Sequence, residues 1–335
     1  MGAAPTDGRD CASRVSEFDL IGRYFTRKPV HARLGIGDDA ALIDAPAGMS
    51  LAVSVDTLNE GIHFLPDVDA RKLGHKSLAV NLSDLAAMGA TPRYALLALT
   101  LPAADPGWLA EFAAGFFALA ERHGIELIGG DTTRGPLAIT ITAIGEVPPN
   151  ALRRDAATPG DDIWVSGELG GAALGLACLQ GRASLGADER AAMVARLEMP
   201  QPRLELGLAL RGVAGAAIDL SDGLSGDLGH VLERSGVCAR IEYALVPRPA
   251  AFRSLANREL EERMVLSGGD DYELLFTAAP VRRSEIEAIE QRLGLRLGRI
   301  GAIERCEDGA GRLSILDPDG KPLADLRSHE HFAAP

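Results

Sequence analysis

The sequence predicts a two-domain protein of mixed α/β (α+β) class. Strand-like apolar runs alternate with helical patterns in both halves of the chain, which is typical of this class and not of bundles or sandwiches. With 335 residues, 47% of them hydrophobic, the chain is long enough for two domains that each bury a core. Residues 147–154 (VPPNALRR) form the best boundary, because two prolines and an asparagine interrupt any regular pattern. We therefore expect domains at residues 1–150 and 151–335.

Three helices are predicted in the first half. Apolar residues recur with helical spacing over residues 16–27. Asp69 is placed as the N-cap of a second helix, which Gly89 ends. A third helix begins at Asp105, with proline in its favoured first turn, and ends at Gly124.

Strands account for most of the other apolar runs. In the first half they are predicted at residues 40–45, 51–55, 94–101, 126–128 and 137–147. In the second half the predicted strands are residues 161–166, 216–220 and 237–242, with helices at 170–180 and 223–235. A further helix and a strand-rich end follow Ser284. This alternation supports a sheet with covering helices in each half.

Composition excludes several function classes. The formal net charge is −13, so nucleic acid and anionic membranes are not expected partners. No apolar run is long enough to span a membrane and no signal segment is recognised, so we expect a cytoplasmic protein. The four cysteines lie far apart and indicate neither a zinc cluster nor a disulfide framework; they are Cys11, Cys178, Cys238 and Cys306.

Aspartate recurs at the ends of strand-like runs and beside glycine. Any one such residue is most simply a turn or a helix cap. As a group, however, carboxylates at a sheet edge would repel one another unless cations lay between them. Oxygen ligands of this kind suit Mg²⁺, which commonly bridges to substrate phosphates. The residues in question are Asp38, Asp39, Asp56, Asp84, Asp131, Asp219, Asp222, Asp270 and Asp271.

Other catalytic motifs are missing from the sequence. It has no Walker A loop, no protein-kinase motif set and no nucleophile elbow. Residues 167–171 (GELGG) fit either an anion site at a helix N-terminus or a simple packing turn. His63, closely following Asp56, is either an ordinary loop histidine or part of a site.

Six stretches closely resemble the thiamine-monophosphate kinase family, a member of the PurM-like group of ATP-using enzymes. They are GIGDDAALID (35–44), SVDTLNEGIHF (54–64), KSLAVNLSDLAAMGATP (76–92), LIGGDTTRGPLAITITAIGEVP (127–148), AIDLSDGLSGDLGHVL (217–232) and LSGGDDYELLFT (266–277). The resemblance implies a two-domain PurM-like architecture. The sheet of the N-terminal domain would help to form a homodimer and the ATP site, and a C-terminal α/β domain would complete the cleft.

The resemblance also implies a reaction, in which ATP phosphorylates thiamine monophosphate to thiamine diphosphate with the help of several Mg²⁺ ions. The implied Mg²⁺ ligands are Asp39, Ser54, Asp56, Asp84, Asp131, Asp219 and Asp222, with Val55 contributing only its backbone carbonyl. The implied ATP contacts are Gly130, Asp131, Arg154 and Ser221. The implied substrate contacts are His63, Asp270 and Leu326. No catalytic base is expected, because the acceptor phosphate, with a second pKa near 6, is already ionised.

Two of these positions depart from the family pattern. Asp270 stands where the family commonly has glutamate, and its side chain is one methylene shorter. Leu326 matches a position where relatives can carry a tryptophan against the thiamine rings. Loss of such stacking would remove about 0.5–1.5 kcal/mol.

Two alternatives stay open at this stage. One is another PurM-like enzyme, such as an aminoimidazole ribonucleotide synthetase, a selenophosphate synthetase or a hydrogenase-maturation protein. The other is a nucleotide- or metal-binding regulatory protein without turnover.

Overall fold

A computed structural model describes residues 17–255, 257–306 and 311–323 of the chain. The helices are α1 (Glu17–Leu20), α2 (Ala70–Ala87), α3 (Pro106–His123), α4 (Gly171–Leu179), α5 (Ala187–Glu198), α6 (Leu204–Ala209), α7 (Leu224–Ser235), α8 (Arg258–Ser267) and α9 (Arg283–Leu293). The strands are β1 (Ser50–Asn59), β2 (Thr91–Leu101), β3 (Glu126–Arg134), β4 (Ala138–Val147), β5 (Asp162–Ser166), β6 (Ala217–Asp219), β7 (Cys238–Glu242), β8 (Leu274–Ala278), β9 (Leu297–Glu304) and β10 (Leu313–Leu316). The predicted mixed α/β class is confirmed.

The first sheet has four strands in the order β1-β4-β2-β3. Strand β4 pairs antiparallel with both β1 and β2, whereas β2 and β3 are parallel and joined through α3. Helix α2 lies against this sheet, and α3 packs along α2. The two helices can approach closely because residue 115 is a glycine. A Cβ at this position would lie only 1.7 Å from the carbonyl oxygen of Arg71.

The second sheet has six strands in the order β10-β7-β9-β5-β8-β6. Its strand pairs are antiparallel except for β10 with β7. Helices α4, α5, α7 and α8 pack among themselves and against this sheet. A separate hydrophobic core fills the space, with Leu228, Ile241 and Leu275 fully buried.

Helix α2 connects the two halves of the molecule. Besides the first sheet it contacts α5, α6, β6 and β8 of the second half. Fourteen of its eighteen residues are buried, including polar ones such as Lys76 and Asn81. Side chains on α2 are therefore placed between the two sheets, where a cleft can form.

Predicted helix ends agree well with the structure. The Asp69 side chain accepts a hydrogen bond from the Lys72 amide at 3.1 Å, as an N-cap residue does. Asp105 caps α3 in the same way, and α3 ends at Gly124 in the left-handed conformation.

Some predicted elements are wrong or incomplete. Residues 40–45 form no strand; Leu42 makes only an isolated bridge to Leu34. Strand β1 continues four residues past the predicted end at Val55, because pairing with β4 extends to Asn59. The sequence reasoning missed α5, α6, α8 and β8.

A disulfide joins Cys238 and Cys306, contrary to the expectation from cysteine spacing. The two residues are 68 positions apart in sequence. Antiparallel pairing of β7 with β9 sets Cys238 opposite Glu304, two residues before Cys306, and the Cα atoms are 5.2 Å apart. Sequence spacing misses this pair because the contact is made by strand register and not by local proximity.

Candidate active site

Four carboxylates converge between the two sheets, and we call Asp56, Asp84, Asp219 and Asp222 the carboxylate cluster. Asp56 lies on β1, Asp84 in the last turn of α2, and Asp219 at the end of β6, three residues before Asp222. The Ser54 hydroxyl donates a hydrogen bond to the Asp84 carboxylate, and Asp56 also contacts Asp84. The cluster therefore unites residues that are up to 166 positions apart (222 − 56).

Burial and mutual repulsion make ionisation of this cluster unfavourable. Burial, followed by the charges of Asp84 and Asp222, raises the pKa of Asp56 from 3.8 to about 7. Burial also raises the pKa of Asp84, and it raises the pKa of fully buried Asp219 well above its ordinary value. Such a group of oxygen ligands gains stability when a cation joins it.

Arginines form a basic wall next to the cluster. Arg153, Arg154 and Arg234 line a cavity of about 360 Å³ together with Ser54 and Asp84. The positive charge of Arg154 favours the ionised forms of Asp84 and Asp219. The lining thus combines carboxylates with guanidinium groups, of which that of Arg153 is already paired with Asp155. This is a suitable environment for a phosphate chain bound with cations.

Asp227 supports the cluster from behind and was missed by the sequence reasoning. Its buried carboxylate accepts hydrogen bonds from the amides of Asp222 and Gly223, at 3.1 and 3.0 Å. Burial raises the pKa of Asp227 to about 7, with the charge of Asp222 as the next cause. The signal in the sequence was an aspartate within the first turns of a helix that follows a Ser-Asp-Gly turn.

Asp131 and Asp39 lie apart from the cluster, in a second cavity of about 660 Å³. Successive residues along a strand point to opposite faces of the sheet. Pairing from strand to strand across the sheet leads from Asp56 on β1 to Gly130 on β3. The same pairing leads from the next residue, Thr57, to Asp131. The side chain of Asp131 is therefore on the face opposite to that of Asp56.

This second cavity is lined by both apolar and acidic residues. Its walls include Phe18 of α1, Ile21 directly after α1, and Ile128 and Gly130 of β3. Only glycine fits at position 130, because a Cβ there would lie 1.9 Å from the Leu97 carbonyl oxygen. The predicted ATP contacts are thus divided, with Gly130 and Asp131 here and Arg154 beside the cluster.

Val55 points away from the cluster, on the face of β1 that it shares with Val53. Val55 is 60% exposed and Val53 is 62% exposed. Strand β1 is the edge of its sheet. The exposure of these two valines shows that this part of its face is not covered by the residues that the structure describes.

The predicted substrate contacts His63 and Asp270 line one cavity of about 270 Å³, which we call the His63 cavity. Its other walls come from the loop after β1 and from helices α2, α4 and α5, and they are mostly apolar. The His63 ring accepts a hydrogen bond from the Asn59 amide at 3.0 Å. Leu326, the third predicted substrate contact, lies outside the described residues.

Asp270 and Tyr272 connect the His63 cavity to the carboxylate cluster. Both residues have positive φ, 68° and 49°, which side-chain-bearing residues rarely adopt. The Asp270 amide donates to the Ser221 carbonyl at 2.8 Å, which ties this loop to the turn that carries Asp222. The buried Tyr272 hydroxyl contacts Asp270, and burial raises its pKa, with the charges of Asp270, Asp56 and Asp219 as further causes. The cavity and the cluster are therefore adjacent.

The glycine-rich loop before α4 holds a carboxylate of the protein itself. The Asp271 side chain accepts hydrogen bonds from the amides of Gly170 and Ala172, at 2.6 and 3.4 Å. Of the two interpretations of this loop, the packing turn is the one that the structure supports.

The described ranges contain no group of three or more His, Cys, Asp or Glu side chains that could hold a metal ion as they stand. Within the same ranges, no helix is both long enough and apolar enough to cross a membrane. The donor chemistry of the cluster nevertheless fits a hard cation, since its oxygens contact one another and resist ionisation without one.

Comparison with known proteins identifies the family. Residues 37–147 match the family model for the AIR synthase related protein, N-terminal domain, and residues 158–313 match the model for its C-terminal domain. A thiamine-monophosphate kinase from Escherichia coli strain K12 is 46% identical over 326 residues, covering 95% of this chain and 99% of that protein. The chain belongs to the thiamine-monophosphate kinase family.

Solved structures of the thiamine-monophosphate kinase family agree. The crystal structure of the Stenotrophomonas maltophilia K279a enzyme is 49% identical, covers 88% of this chain and 92% of that chain, and has a TM-score of 0.80. AaThiL complexed with AMPPCP and TMP is 28% identical, covers 95% of this chain and 97% of that chain, and has a TM-score of 0.75. The resemblance in the motifs is therefore confirmed, as are the PurM-like architecture and the expectation of an enzyme of the kinase class.

Proposed function

We propose that this member of the thiamine-monophosphate kinase family transfers the γ-phosphoryl group of ATP to thiamine monophosphate. The observation that carries the proposal is the contact between the carboxylate cluster and the His63 cavity through Asp270 and Tyr272. A cation-binding phosphate site and an organic acceptor site must adjoin for such a transfer. The AaThiL complex, which contains AMPPCP and TMP together, supports the same pair of ligands here.

The carboxylate cluster would hold Mg²⁺, with Ser54 as an additional oxygen donor. When bound, the ions would screen the repulsion between the two phosphate groups and stabilise charge on the phosphoryl group in transfer. Asp39 and Asp131 are proposed as further ligands from the second cavity, and Val55 through its carbonyl. The raised pKa of Asp56 supports this assignment, because a cation would lower the cost of ionising it.

For ATP, we propose that Arg154 contacts the phosphate chain beside the cluster, next to Ser221. Gly130 and Asp131 would bind the same nucleotide from the opposite face of the first sheet. Because these two groups lie on different faces within one chain, a second copy is a natural source of the missing half of the site. The exposed apolar residues Val53 and Val55 support a homodimer formed through this face.

The chemistry needs no general base from the protein. The acceptor phosphate has a second pKa near 6, so one of its oxygens is already an anion at neutral pH. That oxygen would form a bond to the γ-phosphorus in line with the breaking bond to the β,γ-bridging oxygen, and ADP would leave with the electron pair. The chain's task is to hold the two anions together, and the arginines and the carboxylate cluster at this place support that role.

Formation of thiamine diphosphate tests the proposal directly. Purified protein, ATP, Mg²⁺ and thiamine monophosphate should give thiamine diphosphate and ADP. Replacing the monophosphate with free thiamine, or adding EDTA, should remove the product. Retained ATP binding without product would support the regulatory alternative instead, and product from another acceptor would support a different PurM-like activity. A cytoplasmic location stays a prediction from the sequence.

A further inference from the structure

Lys76 places a buried positive charge in the His63 cavity. It is one of only four lysines in the chain, on the second turn of α2, and its side chain is 4% exposed. The ammonium group lies 3.2 Å from the Asp270 carboxylate and 3.3 Å from the His63 carbonyl oxygen. It therefore contacts two of the three residues that the family resemblance associates with the substrate.

The charges around the cavity make Lys76 the cation available to a ligand. Among the described lining residues, the acidic ones are Asp67, Glu198 and Asp270, and Lys76 is the only lysine or arginine. Glu198 is already paired with Lys72 at 2.7 Å. Lys72 lies on α2, one turn before Lys76. An acceptor whose phosphate carried up to two negative charges would meet Asp270 unfavourably unless a cation stood beside it.

A buried lysine costs desolvation energy, so its retention at a cavity wall calls for a ligand or structural reason. The ammonium forms an ion pair with the Asp270 carboxylate and donates a hydrogen bond to the His63 carbonyl oxygen. A lysine ammonium is a compact point charge that can exchange one oxygen partner for another without a fixed fork geometry. The Asp270 loop, tied to Ser221, also places this ammonium close to the cluster where the donor phosphate would lie.

We propose that Lys76 binds the phosphate group of the monophosphate acceptor and thereby selects a phosphorylated acceptor over its unphosphorylated form. The inference rests on the proposed function and specifies how its acceptor is recognised. Asp270 holds the ammonium in place when the cavity is empty, and a phosphate oxygen joins or replaces that partner on binding. The apolar walls of the cavity take the organic part of the ligand and do not distinguish the two forms.

Direct binding tests this role without turnover. The affinities of thiamine monophosphate and thiamine are measured by calorimetry with Mg²⁺ present and nucleotide omitted, for the wild type and for Lys76→Met. Loss of a charge-assisted contact should weaken monophosphate binding by roughly 10- to 100-fold, leaving thiamine binding unchanged. The KM for thiamine monophosphate should rise by a similar factor while the KM for ATP stays the same.

Matched variants keep the test decisive. Arg71→Met removes another cation of α2, which is paired with the exposed Glu111. This variant should leave the affinities for thiamine monophosphate and for thiamine unchanged. Lys76→Arg should restore part of the preference for the monophosphate, and Lys76→Gln replaces Lys76→Met if that variant does not fold. An unchanged preference, or equal weakening of both ligands, would overturn the role of Lys76. Failure of the wild type to form thiamine diphosphate would instead refute the proposed function.

Discussion

Asp84→Asn is expected to abolish kinase activity and, at the same time, to stabilise the metal-free protein. The two effects have opposite signs because, under the proposed function, Asp84 would bind the cations, and it repels its carboxylate neighbours when no cation is present. Its carboxylate contacts both Ser54 and Asp56, at the centre of the cluster. Substitution of a residue with a purely structural role would not be expected to abolish activity and stabilise the metal-free protein together.

The size of the stabilisation follows from Asp56. The rise of its pKa from 3.8 to about 7 corresponds to about 4 kcal/mol of unfavourable ionisation once the pH exceeds 7. Burial is the largest cause and Asp84 the second, so we assign about 1 kcal/mol to the Asp84 charge. For a protein of this size, that gain should raise the melting temperature by about 2 °C.

Thermal melts at pH 8, with and without Mg²⁺, provide the assay. The wild type should gain about 3 kcal/mol when Mg²⁺ is present at roughly 100 times its dissociation constant, and Asp84→Asn should gain much less. Asp44→Asn, which alters an exposed carboxylate paired with Arg33, serves as the control and should melt like the wild type. Normal turnover, or a melting temperature that falls without metal and rises normally with Mg²⁺, would refute the reasoning.

Three further predictions concern pH, assembly and packing. Burial raises the pKa of Asp271 to about 7, so its stabilising contribution is complete below pH 4 and is lost as the pH rises through 7. In chemical unfolding, the free energy of unfolding of Asp271→Asn should decline less steeply between pH 5 and 8 than that of the wild type. An equal slope would contradict this. Val53→Asp should shift a homodimer toward monomer in light scattering, whereas Val281→Asp, at an 80% exposed position away from the sheet, should not; a dimer unaffected by Val53→Asp would exclude this face. Gly115→Ala should destabilise the fold by roughly 1–3 kcal/mol, because its Cβ would meet the backbone of the neighbouring helix at 1.7 Å. The control Gly229→Ala, with open space around it in α7, should be neutral or slightly stabilising, and similar effects of the two glycine variants would show that helix contact is not the cause.

Helix ends were predictable because their signals are local. Asp69 and Asp105 cap α2 and α3 through hydrogen bonds to amides two or three residues later, so a short sequence window contains the whole interaction. Helix α5 was missed because no side chain caps its start, whereas α8 was missed although Asn257 caps it through a hydrogen bond from the Leu260 amide. Residues 40–45 were wrongly predicted as a strand because an apolar run alone does not supply a pairing partner.

Candidate residues of the site were predictable by type, but their grouping was not. Asp56, Asp84, Asp219 and Asp222 were recognised as aspartates that end strand-like runs or follow a serine, and the structure brings them together. Supporting groups such as Asp227 were not recognised, although Asp227 lies within the quoted stretch of residues 217–232. Their roles depend on burial and on backbone amides that approach from the preceding turn.

By itself, the sequence determined the fold class, the main helices with their caps, the family and the aspartates that we propose as cation ligands. These conclusions depend on local patterns and on motifs that can be read within short stretches. Only the tertiary structure decided which of those residues meet. Asp131 lies on the face of the sheet opposite to Asp56, Cys238 pairs with Cys306, and Lys76 reaches Asp270. The physical reason is that strand register and helix packing are set by the burial of non-local surfaces, and a register shift of one residue turns each side chain to the other face.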